Sequence, residues 1–256
     1  MSKIEWTEKT WNPITGCTKV TAGCKNCYAE NIAKRFWRGR CFNDVEFHKE
    51  RLNEPLKRKK PTMYFVNSMS DLFHENISFK QIDQIFCVMV QADWHTYQIL
   101  TKRAKRMVDY FHSYNGFILS RGIWLGVSIE NQAAVLNRIP SLLKAPAATR
   151  FLSIEPCLER IDLFPFIGNS TLTAGARWLL TKTDNKIDWV IVGCESGPQR
   201  RPCKIGWIEN IIAQCQDANV PVFVKQISVD GKVIKDIAQF PKHLQIREYP
   251  KNKIGE

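Results

Sequence analysis

The stretch Ile123-Trp-Leu-Gly-Val-Ser-Ile-Glu-Asn131 holds the repeating unit of the chain. Ile123 to Val127 is almost continuously apolar, and Ser128 to Asn131 is polar. A run without alternation suits a strand buried on both faces, as in a parallel sheet. From Asn131 to Leu143 the apolar residues recur at helical spacing. Strand, polar rim and helix therefore follow one another within about twenty residues. The same pattern opens at Met63–Val66, Tyr97–Leu100, Arg150–Ile154, Trp189–Val192 and Val220–Val224, with Pro221 tolerable only at the start of its strand. Helices are predicted at Phe79–Ala92, with Ser78 as N-cap, at Trp207–Ala218, and over most of Ala22–Phe36. A weaker first strand is predicted within Thr10–Thr15.

Repeated βαβ alternation predicts an α/β fold with a parallel sheet. About six to seven strands favour a partial or full β/α barrel over a small open sheet. Residues 1–256 read as one domain. Residues 169–187 read as an insertion or long loop, and residues 228–256 as a tail packed on the outside. No apolar run approaches the roughly 18 residues that span a bilayer, and Met1-Ser-Lys-Ile-Glu-Trp6 has no signal-like apolar core. A cytoplasmic protein with no membrane partner is the expectation.

Lysine plus arginine is 37 and aspartate plus glutamate is 25, giving a net charge of +12. That excess favours anionic partners, nucleic acid and nucleotides first. Residues 34–60 alone hold ten Lys/Arg and four Asp/Glu, a surplus of six. Lys102, Arg103, Lys105 and Arg106 form a second basic group.

In parallel α/β folds, ligands sit at the carboxyl ends of the strands. Here those ends offer Asp71, Lys102, Glu130, Glu155, Glu195 and Lys225 in succession. Such a ring suits a polar small molecule with many hydrogen-bonding groups. Nine cysteines are present, an odd number that argues against a disulfide framework. Three of them, Cys17, Cys24 and Cys27, have the spacing C-x6-C-x2-C directly after the predicted first strand. Thiolates are soft ligands for iron–sulfur clusters and zinc. Three cysteines can hold three irons of a [4Fe-4S] cluster and leave the fourth open. The competing readings are a zinc site completed by Cys41 or a histidine such as His48, or plain buried thiols.

The Gly16-Cys…Gly23-Cys-x-x-Cys-Tyr-Ala29 pattern and its setting resemble the radical S-adenosylmethionine (SAM) superfamily, in particular its spore photoproduct lyase-like branch. The chain as a whole resembles a phage-associated family of unknown function related to that superfamily. The segments that carry this are Thr10-Trp-Asn-Pro-Ile-Thr-Gly-Cys17, Phe65-Val-Asn-Ser-Met-Ser-Asp-Leu-Phe-His-Glu75, Leu100-Thr-Lys-Arg103, Trp124–Gln132 and Val190-Ile-Val-Gly-Cys-Glu-Ser-Gly197. The first cysteine gap is six residues rather than the usual three, and Asn26 stands where an aromatic residue is usual.

The resemblance implies a (β/α)6 partial or full barrel. It implies a [4Fe-4S] cluster on Cys17, Cys24 and Cys27, and SAM on the open iron. Reductive cleavage of SAM would give a 5′-deoxyadenosyl radical that abstracts a substrate hydrogen, with flavodoxin or ferredoxin as electron donor. By position, Asn67, Ser68, Ser70 and Asp71 would meet the methionyl group, and Ser128, Glu130 and Asn131 the ribose or carboxylate. Tyr28 and Glu155 complete the expected cofactor contacts. Glu195, Lys102 and Lys225 are the expected catalytic residues, with Arg200 and Arg201 also facing an anionic substrate. A nucleic acid or nucleotide would be bound through residues 34–60 and 102–106. Two other functions fit the residues: a zinc-stabilised, non-catalytic nucleic-acid-binding protein, and a SAM-independent barrel enzyme acting on a phosphorylated small molecule.

Overall fold

The structure is a computed structural model that describes residues 4–113, 119–167 and 185–250. Most of the expected insertion at 169–187 and the last residues of the expected tail lie outside the described residues. One mixed sheet of eight strands organises the chain. Its members are β1 (Lys9–Trp11), β4 (Met63–Val66), β5 (Thr96–Thr101), β6 (Ile123–Ser128), β7 (Thr149–Ile154), β8 (Trp189–Gly193), β9 (Val222–Val229) and β10 (Lys232–Ile234), in that spatial order. Neighbours from β1 to β9 are parallel, and β10 turns back antiparallel on β9. β2 (Ile14–Thr15) and β3 (Glu46–Phe47) form a separate antiparallel pair. The helices are α1 (Tyr28–Phe36), α2 (Glu54–Lys57), α3 (Phe79–Gln91), α4 (Ala104–His112), α5 (Gln132–Lys144), α6 (Phe164–Ile167) and α7 (Ile205–Asp217).

The α/β class and the parallel register agree with the sequence reading, and three details differ. The sheet has eight strands rather than six to seven, and β1 and β10 lie at its two ends. The segment Thr10–Thr15 breaks into β1 and β2 because the chain turns at Asn12-Pro13. The segment Ala22–Phe36 begins as a short 3-10 turn, Ala22–Cys24, and becomes α-helical only at Tyr28. Ser78 caps α3 as expected and forms a capping box with Gln81.

The tail is bonded to the edge of the sheet. β10 pairs with β9, and farther along the Val224 N–H donates to Ile246 O at 2.9 Å while the Glu248 N–H donates to Val222 O at 2.8 Å. An edge strand left bare would invite pairing with another chain, and this return covers it. Tyr249 stacks on Trp189 with ring centroids 5.3 Å apart.

Side chains alternate across the strands. The outer faces join the helices in the main apolar core, which includes Ile99, Leu125, Leu152, Val190 and Val224. The inner faces supply a second cluster: Met63, Phe65, Trp124, Phe151, Trp189, Ile191 and Phe223, packed around Trp6. Inward positions shrink toward the carboxyl end. β6 presents Trp124, Gly126 and Ser128, and its neighbour β7 presents Thr149, Phe151 and Ser153 in register with them. The Phe151 ring occupies the space beside Gly126, where an added Cβ would come within 2.5 Å of it.

Gly126→Ala should therefore overpack this layer and destabilise the protein by about 1–3 kcal/mol. A lowered urea midpoint with an unchanged m-value would register it; an unchanged midpoint would mean that the Phe151 ring moves aside freely.

Candidate functional site

A cavity of about 590 Å3 opens at the carboxyl ends of the strands. Its floor is the small-residue layer, Ser128 and Ser153, and one side is apolar, with Trp6, Phe65 and Leu100. Cys24, Asn26, Cys27 and Tyr28 of the cysteine segment form the facing wall. Lys102, Glu155, Glu195 and Lys225 stand at the strand ends around it.

The polar ring expected from sequence is thus present, but it divides into two groups. Tyr28, Ser68, Lys102, Ser128, Glu155, Glu195, Lys225, Cys24 and Cys27 reach the cavity. Asn67, Ser70, Asp71, Glu130, Asn131 and Cys17 are not on its wall, and the structure gives most of them a structural task. Asn67 adopts a left-handed φ of 58°, and its Oδ1 accepts from the Ile14 N–H at 3.1 Å. Asn131 caps α5 by accepting from the Ala134 N–H at 2.9 Å. The Ser70 hydroxyl donates to Gly16 O at 2.5 Å. The buried Asp71 carboxylate accepts from the Phe73 and Lys102 N–H groups, both at 3.0 Å, and from the Thr101 hydroxyl at 2.7 Å.

Off-wall groups, together with Glu195 and Asn26 of the wall, clamp the cysteine segment to the rim. Arg103, which pairs with Asp71 at 3.3 Å and with Glu75 at 2.8 Å, donates to Thr18 O at 3.2 Å and Thr18 Oγ1 at 2.9 Å. His74 Nδ1 accepts from the Asn76 N–H at 3.1 Å, which leaves Nε2 protonated to face Thr18 Oγ1 at 2.9 Å. Burial and the nearby Arg103 charge lower the His74 pKa, so the ring is a neutral structural strut. Arg138 of α5 pairs with Glu130 at 2.7 Å and reaches Thr21 Oγ1 at 3.3 Å. Arg201 pairs with Glu195 and donates to Ala22 O at 2.9 Å. Asn26 donates to Glu195 at 3.0 Å and to Gln199 O at 2.6 Å.

These bonds revise the expected roles of several residues. Arg201 points to the cysteine segment rather than to a substrate, and Arg200 donates to Gly197 O and Gly231 O. Glu195 lies on the wall, but its two oxygens are taken by Arg201 and Asn26. Burial alone would raise its pKa; the bonds from Arg201 and Asn26 outweigh that and hold it below the ordinary carboxylate range. The Lys225 ammonium donates to both carboxylate oxygens of Glu155, at 2.6 and 2.8 Å. The Lys102 ammonium has no carboxylate partner among the described residues and is free to meet an anion.

Several arginines of the basic stretches expected to face nucleic acid have internal work instead. Arg40 pairs with Glu46 at 2.6 Å, Arg58 donates to Thr62 Oγ1 at 2.5 Å, and Arg106 donates to His74 O and Ile77 O at 2.8 and 2.7 Å. Lys57, Lys59 and Lys60 line a separate cavity with Lys9 at the amino ends of β1 and β4, opposite the rim.

The chemistry of a thiolate-bound group can be tested on the cysteine segment itself. Cys24 and Cys27 are half-buried and open to the cavity. Cys17 is half-buried and off the cavity wall; Arg103 Nη1 donates to its sulfur at 3.6 Å. Burial pushes its thiol up to about 11, Asp71 adds to the rise, and Arg103 opposes it. Among the described residues no group of three or more His, Cys, Asp or Glu side chains is arranged to hold a metal ion. Cys24 and Cys27 thus fit a thiolate-ligated group in type and in placement at the cavity, while the three sulfurs are not gathered into a ligand set. Neither competing zinc ligand joins them: Cys41 is exposed, and His48 contacts Thr15 Oγ1 at 2.7 Å and Glu50 at 3.2 Å.

Residues 1–250 match the family described as "Protein of unknown function (DUF5131)". The chain belongs to this family. No curated protein and no solved structure matches it. Among the described residues of this DUF5131 protein, no helix is long and apolar enough to cross a membrane.

Several wall residues of the DUF5131 site escaped the sequence reading: Thr10, Asn12, Asn26, Ser153, Met69 and Lys235. Ser153 was within reach of it, since it lies two residues beyond the inward Phe151 and the strand period is two. Asn12, which accepts from the Ser68 hydroxyl and the Met69 N–H, both at 3.1 Å, has no such signal.

The Glu130–Arg138 pair is almost wholly buried, with side chains 2% and 6% exposed. Arg138→Met should cost about 3–5 kcal/mol by stranding the Glu130 charge, and Arg138→Met with Glu130→Leu should recover most of it. Glu130 also sets a pH dependence. Burial raises its pKa, but Arg138 outweighs that and leaves it lowered from 4.5. A depressed folded value contributes stability above the unfolded range and loses it as pH falls through the folded value. Urea midpoints should fall with pH below about 4.5, and less steeply in the double variant.

Proposed function

We propose that this protein is a radical SAM enzyme whose reaction takes place in the rim cavity. The observation that carries this reading is the wall itself: Cys24 and Cys27 of the C-x6-C-x2-C segment face a cavity at the carboxyl ends of parallel strands, where α/β folds place their ligands. Cys17, Cys24 and Cys27 would hold a [4Fe-4S] cluster. When bound, such a cluster supplies the electron that cleaves SAM to methionine and a 5′-deoxyadenosyl radical, the hydrogen-abstracting species. With this reading goes the finer fold, a partial β/α barrel open between β1 and β10 and lying in one domain, in a cytoplasmic protein reduced by a flavodoxin or ferredoxin.

The chain's own residues bind, orient and exclude water. Ser128 and Ser153 lie side by side in register on adjacent strands, and both are buried, at 3% and 2% exposure. Their hydroxyls line the cavity floor and suit a hydroxylated or ring-nitrogen ligand. The buried Trp6 indole gives the cavity an apolar wall. Phe65 and Leu100 keep that side dry, which protects a reactive intermediate from side reactions. The Lys102 ammonium is placed to draw in a carboxylate or phosphate. Glu155 and Lys225, paired to each other, present a fixed dipole at the far side.

Anaerobic purification with iron and sulfide analysis tests the reading, together with EPR of the reduced protein. About four irons and four sulfides per chain are expected, with a spectrum perturbed by SAM. Cys24→Ser and Cys27→Ser should abolish iron uptake while the far-UV circular dichroism is retained. Zinc without sulfide, or no metal after reconstitution, would overturn the proposal.

A further inference from the structure

Among the described residues six large apolar side chains are markedly exposed, and four of them belong to the cysteine segment and α1: Val20, Tyr28, Ile32 and Phe36. The other two, Val90 and Leu136, stand alone on separate helices. Tyr28, Ile32 and Phe36 are four residues apart, so they form one ridge along the helix. Their exposures are 44%, 41% and 65%. An adjacent side of α1 is buried, with Ala29 and Ala33 packed on Phe42. Tyr28 and Ile32 also belong to the cavity wall. The ridge therefore starts inside the rim cavity and runs outward about 12 Å to Phe36.

Charge around the ridge has one sign. The single carboxylate of α1, Glu30, is neutralised by Lys19 at 2.8 Å and Lys34 at 3.0 Å. Lys25, Arg35 and Arg38 have no carboxylate partner among the described residues. The Arg35 guanidinium lies over the Phe36 ring, 5.2 Å from its centroid, and Arg40 lies over the neighbouring Trp37 at 4.5 Å. The Tyr28 ring is fixed in place because its hydroxyl donates to Ser68 O at 2.7 Å. Two exposed aromatic rings, Tyr28 and Phe36, with the unpaired Arg35 and Arg38 beside them, match a ligand that is anionic along its length and carries π-faces. An acidic protein surface would satisfy the cations but offers no regular partner for the rings.

We propose that α1 is a docking strip for single-stranded nucleic acid, which lays its bases along Tyr28, Ile32 and Phe36 and delivers one unstacked nucleotide into the cavity. This rests on the reading of that cavity as the reaction site and names its substrate class. The Lys102 ammonium then meets a phosphate next to the delivered nucleotide. Arg35 and Arg38 follow the backbone farther out.

Fluorescence anisotropy with labelled oligothymidylate and oligouridylate, titrated with the full chain, tests it. Binding is expected for the single strands and not for a duplex of equal length, and the tighter of the two single strands identifies DNA or RNA as the source. Phe36→Ala should weaken binding about tenfold, and Arg35→Ala and Arg38→Ala should each reduce the salt slope by about 0.7. All three positions are exposed, and unchanged melting temperatures would exclude misfolding as the cause. Absence of binding at low salt, indifference to Phe36→Ala, or equal competition by polyglutamate would overturn the proposal, the last in favour of an acidic protein. Iron and sulfide measured on the same preparations separate the two readings. A cluster-loaded protein that ignores oligonucleotides defeats the docking strip alone. A metal-free protein that binds them through α1 defeats the radical SAM reading alone.

Discussion

The Asp71 carboxylate accepts hydrogen bonds from Phe73 in its own loop and from Thr101 and Lys102 at the end of the next strand, and it then pairs with Arg103. A buried carboxylate is costly unless its lone pairs are filled, and here they are filled by groups that have to be adjacent for the rim to exist. Arg103 extends the same network to Glu75, Thr18 and the sulfur of Cys17. One charge pair thus fixes the β4 loop, the β5 loop and the cysteine segment relative to each other. Arg138 and Arg201 repeat the device from the far side of the rim, through Thr21 and Ala22. The cysteine segment, mostly irregular between β2 and α1, gains its shape from these arginines rather than from secondary structure of its own.

The cavity has a second cause, in the size of the inward side chains. Tryptophan and phenylalanine fill the lower layers, and a close-packed interior leaves no space there. Serines on β6 and β7 end the filling one layer below the rim. Trp6 and the Gln98 amide, which donates to Trp6 O at 3.2 Å, tie the amino-terminal segment across this face. The cavity is therefore walled by the first residues of the chain on one side and by the clamped cysteines on the other.

Much of the sheet was legible because its strands are apolar on both faces and are punctuated by polar ends. β10 was not, because Lys232–Ile234 is short and partly exposed, and its place depends on pairing with β9. The ring of polar strand ends was also legible as a ring. Its division into wall and clamp was not, because Asp71 and Glu155 look alike in sequence. Only the position of Arg103 and Lys225 in space decides which carboxylate is buried beneath the loop and which faces the cavity. Asn26 shows the same limit from the other direction. It stands where an aromatic residue was expected, and the structure uses its amide to reach Glu195 and Gln199 O, contacts that an aromatic ring could not make.

The net charge takes on a different meaning once the cations are sorted by type. Arg40, Arg58, Arg103, Arg106, Arg138 and Arg201 all donate to internal carboxylates, hydroxyls or carbonyls. A planar fork with several donors suits such clamps, and a lysine ammonium does not. Lys57, Lys59 and Lys60 carry their charge on the surface at the amino ends of the strands, where it cannot act on the rim at short range. The cations left for a ligand at the cavity are few and specifically placed: Lys102 and Lys235 on its wall, and Lys25, Arg35 and Arg38 beside the apolar ridge of α1. A strongly basic chain therefore presents only a narrow basic track at its site, and that track coincides with the most exposed aromatic side chain of the described residues, Phe36.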